Sequence, residues 1–225
     1  MIHEVFPVGL LQCNCSILGD EASGEAIVVD PGDDIPRIVA TLERHHLHVK
    51  QILITHAHID HIAGAARLKA LTGAPILYNQ RDLELVEMMD LQADWLGVET
   101  PEVPPPDDTL EEGRVIAIGG LARANAEQSA SERTEAPLIG QVIHTPGHTK
   151  GSICLYLPQQ SLLLAGDTLF AGSVGRTDLP GGDTPTLLRS IHQKLLGLPD
   201  ATVVIPGHGP HTTIGDERAT NPFLI

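Results

Sequence analysis

Thr55-His56-Ala57-His58-Ile59-Asp60-His61 places four metal-ligating side chains within six residues. The apolar run Gln51-Ile52-Leu53-Ile54 precedes it and a helix-like run from Ile62 to Leu71 follows, so the motif lies where a strand gives way to a helix. In extended backbone His56 and His58, two apart, point to one side. Asp60 and His61 fall at the helix start, where the chain turns and sends them to a different side. One ion cannot comfortably use all four at this spacing, so the motif reads as two adjoining half-sites. The bland alternative makes Asp60 a helix N-cap beside three solvated histidines. So dense a cluster of ligands argues against it.

The same device recurs downstream. His148, in Thr145-Pro146-Gly147-His148, follows Gln141-Val142-Ile143; Asp167, in Ala165-Gly166-Asp167, follows Leu162-Leu163-Leu164; His208, in Ile205-Pro206-Gly207-His208, follows Val203-Val204. Each ligand-type residue comes after an apolar run and a glycine that lets the chain turn sharply. Four strands thus deliver their C-terminal ends to polar loops, the usual place for a ligand site on an α/β sheet. Five histidines and two aspartates exceed what one four-coordinate zinc uses, whereas two ions sharing a carboxylate use them all. Asp167 is the natural bridge, because a carboxylate offers two oxygens and an imidazole binds through one nitrogen at a time. His144 and His211 sit out of phase and are assigned to structure or support. His45-His46-Leu47-His48 ends a helix running through Ile35, Ile38, Val39 and Leu42, with Asp33 or Asp34 as its cap. Cations suit a helix C-terminus, so these three histidines are read as a solvated helix end and excluded from the site.

The 225 residues are 42% hydrophobic, and no apolar run approaches the ~18 residues a membrane span requires. Met1-Ile2-His3-Glu4 carries no basic segment before an apolar stretch, so no secretory signal is expected. A net charge of −15 disfavours nucleic-acid binding, even with two divalent cations added. Cys13, Cys15 and Cys154 show no finger-like or CxxC spacing and are expected to be reduced packing residues, which fits a cytoplasmic protein. Arg81 to Leu96 reads as one helix closed by Gly97, its Leu85, Met88, Met89, Trp95 and Leu96 stripe expected in the core. The proline-rich stretch Thr100–Asp108 reads as a stiff connection that could border a pocket. One domain is expected over residues 1–225, with a polar surface insertion at about 122–138.

These motifs resemble the metal motifs of the metallo-β-lactamase superfamily. The likeness runs in order from Asp30-Pro31-Gly32 to Asn221-Pro222-Phe223-Leu224, interrupted by the 122–138 insertion. Gly172-Ser173-Val174-Gly175-Arg176-Thr177-Asp178 and Pro206-Gly207-His208-Gly209-Pro210 narrow it to the small glyoxalase II-like hydrolases. The resemblance implies an αββα sandwich, two mixed sheets face to face with helices on both outer faces. It implies that His56, His58 and His148 hold one ion, that Asp60, His61 and His208 hold the other, and that Asp167 bridges them. Asp30 would orient ligands. Full-length glyoxalase II appends a C-terminal helical domain with basic contacts to glutathione, whereas 14 residues follow His211 in this sequence. Arg176 falls in the loop that carries a glutathione contact in that family, but Thr177-Asp178 stands where a tyrosine is expected.

The leading expectation is a binuclear metallohydrolase of thioesters such as S-lactoylglutathione, with Asp60 and Asp167 serving catalysis and Arg176 meeting the substrate. Zinc is expected, with iron or manganese suited to the same donors. A thiolate, with a thiol pKa of about 8.5, leaves without being protonated, whereas a lactam amine needs a general acid that the motifs do not supply. That ranks thioesters above β-lactams and keeps lactones open. The alternatives are a mononuclear-iron persulfide dioxygenase, which also resembles the Gly175–Asp178 stretch, and a non-enzymatic metal-binding protein. No nucleic-acid or membrane partner is expected.

Overall fold

Strands that read as unbroken apolar runs are buried on both faces, and their side chains divide by parity between two layers of core. The computed structural model describes residues 1–119 and 138–225. One sheet holds, in spatial order, β1 (Ile2–Val8), β2 (Cys13–Gly19), β3 (Glu25–Val29), β4 (His48–Leu53), β5 (Ile76–Tyr78) and β6 (Asp108–Thr109). Its first three strands are antiparallel and β3 to β6 are parallel. The other sheet is built from β7 (Val115–Ile118), β8 (Leu138–His144), β9 (Ile153–Leu157) and β10 (Leu162–Gly166). A short ribbon of β11 (Leu169–Phe170) and β12 (Ser173–Val174) follows, and β13 (Val203–Pro206) and β14 (Thr212–Thr213) complete that sheet in the order β14-β13-β10-β9-β8-β7. β10 and β13 run parallel and the other neighbours antiparallel. Both sheets are therefore mixed.

Parity shows how they stack. Leu18, Ile27, Val29, Leu53 and Leu77 of the first sheet meet Val142, Ile153, Leu155, Leu164 and Ile205 of the second in one buried cluster. The alternate residues Ile17, Val28, Ile52 and Ile76 face outward, under α1 (Ile35–Arg44), α2 (Ile59–Ile62), α3 (Ala65–Thr72), α4 (Leu83–Glu87) and α5 (Met89–Leu96). On the far side Cys154, Leu163 and Val204 pack with Leu187 of α6 (Thr184–Ser190), Ile191 and Leu195 of the π-helical turn after it, and Ile214 of α7 (Ile214–Thr220). The αββα sandwich expected from the sequence is the fold. Leu→Ala in the central layer, at Leu53 or Leu155, would cost about 2–5 kcal/mol.

Several local expectations change. The Ile62–Leu71 run is divided: α2 ends at Ile62 and α3 starts at Ala65, with Gly64 between them lying against Pro31, where a Cβ would be 2.2 Å from the carbonyl oxygen. The Arg81–Leu96 run breaks at Met88, whose φ of −95° and ψ of 15° separate α4 from α5. Trp95 is 53% exposed instead of core, while Leu85, Met89 and Ala93 of those helices are buried. Asp34 occupies the N-cap position of α1 without capping it; its carboxylate accepts from the Gly9 amide instead. His48 opens β4 rather than ending a helix, and His45 bonds Glu4 at 2.7 Å. The expected insertion at 122–138 lies, but for Leu138, outside the described residues. Among the described residues no helix is long and apolar enough to cross a membrane.

What matters for the site is strand direction. β3 and β4 in one sheet and β8, β10 and β13 in the other all end on one side of the sandwich, and their C-terminal loops meet there. The Thr55 carbonyl accepts the Ile153 amide at 2.9 Å and the Gly207 carbonyl accepts the Asn14 amide at 2.7 Å, so backbone bonds join the two sheets around the cleft.

Candidate metal centre

All seven residues of the expected set converge at this junction. His56 Nε2, His58 Nδ1 and His148 Nε2 form a triangle with sides of 3.1, 3.0 and 3.1 Å. Asp60 Oδ2, His61 Nε2 and His208 Nε2 form a second, with sides of 3.1, 3.3 and 3.6 Å. The points equidistant from each set lie about 1.8 and 1.9 Å from the donors, within the ~2.0–2.2 Å reach of zinc to nitrogen or oxygen. Asp167 spans the two: Oδ2 is 3.6 Å from His148 Nε2 and Oδ1 is 3.6 Å from His61 Nε2. Asp167 Oδ1 is buried and accepts no hydrogen bond among the described residues.

The tautomers sharpen this. His148 Nδ1 donates to the Arg176 carbonyl at 2.8 Å, and His56 Nδ1 donates to Thr55 Oγ1 at 3.1 Å. Thr55 Oγ1 in turn donates to Asp30 Oδ2. His61 Nδ1 donates to Asp30 at 2.9 Å and His208 Nδ1 to the Leu11 carbonyl at 3.0 Å. In the neutral rings the inward nitrogens therefore carry lone pairs, which face one another at 3.1 Å between His56 and His148 and at 3.3 Å between His61 and His208. Lone pairs at that separation repel unless positive charge lies between them. The donor set, its outward anchors and the orphaned carboxylate oxygen all fit divalent cations.

The half-sites differ electrostatically. Burial, then the neighbouring imidazoles, depresses His56 well below the usual range and His58 to about 3; burial also lowers His148 against the pull of Asp167. In the other half burial works against the charged forms but loses. Cys13, Asp60, Asp30 and Asp167 raise His61, while the Asp60 hydrogen bond and Asp167 raise His208. Asp60 is held well below the carboxylate range by His61 and His208, despite burial. Three neutral imidazoles thus stand beside a half-site that strongly favours positive charge.

The sequence from residue 8 to residue 208 matches the model of the metallo-beta-lactamase superfamily. The chain belongs to that superfamily. A hydroxyacylglutathione hydrolase, GloC of Haemophilus influenzae, is 37% identical over 98% of this chain and 97% of its own length. Among solved structures, the B3 metallo-beta-lactamase BLEG-1 is 34% identical with a TM-score of 0.85, covering 99% of each chain. TTHA1623, solved in a di-iron-bound form, is 37% identical with a TM-score of 0.80 over 97% of this chain and 98% of its own. ETHE1 from Myxococcus xanthus is 25% identical with a TM-score of 0.77 over 99% and 84%. Metal-dependent hydrolase chemistry is the common ground of the superfamily and the site.

Within this metallo-beta-lactamase scaffold two further side chains fix the ligand loops, and sequence reasoning missed both. Asp82, 1% exposed, accepts from the amides of Ala57 at 3.0 Å and Gly151 at 2.6 Å and from Thr149 Oγ1 at 2.9 Å. It ties the His56–His58 loop to the residues following His148. Gln92 accepts the Ile59 amide at 2.9 Å and donates to the Leu85 carbonyl at 2.9 Å. The only signal in the sequence was polar residues on the inward face of an otherwise apolar helix, which periodicity alone does not distinguish from a boundary residue. Cys13, expected merely to pack, also touches His61 Nδ1 at 3.4 Å. Gly207 allows a close approach, for a Cβ there would lie 2.0 Å from Asp167 Oδ1.

Arg176 is placed otherwise than a free substrate clamp would be. Its guanidinium makes a two-pronged pair with Asp178 at 2.7 and 2.8 Å, while its carbonyl anchors His148. A cavity of about 740 Å³ opens from Asp60 in another direction. Thr100, Pro101, Glu102 and Pro104 line it, so the proline-rich stretch does border a pocket; Arg176 is not among its walls.

Proposed function

We propose that this chain is a binuclear metallohydrolase of thioesters. The observation that carries the reading is the pair of donor triangles sharing Asp167, with the neutral imidazoles of His56, His58 and His148 turning their lone pairs toward one another in the first. His56, His58 and His148 would hold one ion, Asp60, His61 and His208 the other, and Asp167 both; zinc suits these donors, and iron or manganese would too. When bound, the ions supply Lewis acidity toward a carbonyl and lower the pKa of water toward neutrality. The protein's part is positional. Asp30 and Thr55 hold His61 and His56 in the required tautomers, and Asp82 and Gln92 fix the loop backbone beneath them.

Leaving-group chemistry favours thioesters. Asp60, the one member of the seven-residue cluster that lines the cavity, is held ionised by His61 and His208 and is a poor proton donor. A departing thiolate needs no proton, whereas a departing amine does. The likeness to GloC, a hydroxyacylglutathione hydrolase, supports the same class. The second reading, a one-iron persulfide dioxygenase, draws on the likeness to ETHE1, but the complete Asp60–His61–His208 triangle favours two ions. Three buried unpaired cysteines accord with a cytoplasmic setting.

The test is elemental analysis of gently purified protein alongside three assays. Two ions per chain with hydrolysis of S-lactoylglutathione is the expected outcome. One iron per chain with oxygen consumption on glutathione persulfide would replace the proposal by the dioxygenase, and hydrolysis of nitrocefin without thioester turnover would replace it by a lactamase.

A further inference from the structure

The cavity that ends on Asp60 is walled mainly by apolar side chains. Leu10 and Leu11 stand on one side, Ala63, Ala66 and Ala70 on another, and Leu96, Val98 and Pro101 close the third. Leu10 and Leu11, in the turn between β1 and β2, are 70% and 45% exposed, and Val98 is 43% exposed. Three apolar residues left uncovered on two segments, all lining one cavity that reaches a proposed metal ligand, mark a place for an apolar ligand portion.

Charge narrows the class. Two basic residues line the cavity, and both are engaged: Arg67 with Asp33 at 2.9 Å and Lys69 with Asp107 at 2.6 Å. Besides the paired Asp33 and the proposed ligand Asp60, Glu99 and Glu102 stand on the same walls. An anionic arm, such as the carboxylates of glutathione or the phosphates of a nucleotide carrier, would meet an acidic rim with no uncommitted cation among these lining residues. A neutral aliphatic or aryl arm meets no such penalty.

We infer that this cavity is the acyl subsite, taking an extended, uncharged, apolar acyl group whose carbonyl is presented beside Asp60. The inference rests on the thioester reading and specifies the substrate class: medium-chain or aryl acyl thioesters on a neutral or small thiol, in preference to a short hydroxyacyl group on glutathione. Ala66 and Ala70, one helical turn apart on α3, leave the space that a larger side chain would fill.

The experiment uses the metal-loaded full chain with S-acetyl-, S-butyryl-, S-hexanoyl- and S-octanoyl-N-acetylcysteamine, and S-lactoylglutathione for comparison. kcat/KM should rise along the series by up to about fourfold per buried methylene until the groove is filled. Ala66→Phe should lower the octanoyl value at least tenfold more than the acetyl value. Calorimetry with the non-hydrolysable thioethers S-octyl- and S-ethyl-N-acetylcysteamine reads binding without turnover. The octyl compound should bind at least tenfold tighter, with a negative heat-capacity change that Ala66→Phe diminishes. A flat chain-length profile, equal binding of the two thioethers, or S-lactoylglutathione as the better substrate overturns the acyl subsite and leaves the hydrolase standing. Failure to hydrolyse any thioester while the octyl thioether binds overturns the thioester reading instead.

Discussion

Replacing Asp82 with alanine should both destabilise the fold and loosen the candidate metal centre. Its carboxylate receives two backbone amides, Ala57 at 3.0 Å and Gly151 at 2.6 Å, and the Thr149 hydroxyl at 2.9 Å. Burial, the largest influence, pushes the Asp82 carboxyl up from its usual pKa, and those three hydrogen bonds pull it back. Alanine leaves both buried amides without that acceptor, at about 1–3 kcal/mol each, so the expected destabilisation is ~2–6 kcal/mol. That is a large part of the roughly 5–15 kcal/mol a domain possesses. Ala57 lies between His56 and His58, and Gly151 lies three residues after His148, so the same change loosens the three-histidine triangle. Guanidinium unfolding at fixed free metal would read the first effect and chelator competition the second. Asp82→Asn, retaining one amide oxygen, should recover part of both. A stability within ~0.5 kcal/mol of the unmodified chain, with metal affinity unchanged, would refute the assignment, since that is the size of a neutral surface substitution.

Asp167→Ala should remove the bridge, lower the metal content and cut turnover by orders of magnitude, whereas His45→Ala, which loses only its bond to Glu4, should change turnover little; equal losses would misplace the site. As pH falls through the ordinary histidine range, protons should compete first at His61 and His208, whose pKa values are raised, and last at His58, depressed to about 3. Metal per chain, measured after dialysis across pH 8 to 5, should therefore step from two to one with the three-histidine ion retained; simultaneous loss would contradict this. Burial raises Cys13 to about 12 and Cys154 to about 11, so a thiol reagent at pH 8 should find no fast-reacting cysteine in the native chain and three after unfolding. Arg176→Lys gives up the two-pronged pair with Asp178. An unchanged KM for S-lactoylglutathione with a lower Tm is expected, and a several-fold higher KM at constant kcat would place the guanidinium on the substrate instead.

The sequence by itself determined most of the strands and the inventory of candidate ligands. Parity along Ile52-Leu53-Ile54 and Leu162-Leu163-Leu164 is a local property, fixed by the two-residue repeat of a strand, and it announces burial on both faces before any partner is known. Likewise His56, His58, Asp60 and His61 are set apart by a strand end and a helix start, both legible within a dozen residues. Only the tertiary structure decided which atoms meet. His58 and His148 are 90 residues apart, and their nitrogens come to 3.0 Å because β4 and β8, in different sheets, end on the same side. Asp82 was invisible for the same reason: its partners lie 25 to 69 residues away, and nothing local distinguishes a buried acceptor of loop amides from a helix-start aspartate. Trp95 failed in the opposite sense: α5 buries Met89, Gln92 and Ala93, and Trp95 falls off that face into solvent. The cavity from Asp60 is likewise a product of packing, formed where the β1–β2 turn, α3 and the proline-rich stretch leave space between them. Short-range periodicity fixes what each segment offers, and the relative placement of segments distant in sequence fixes what it touches.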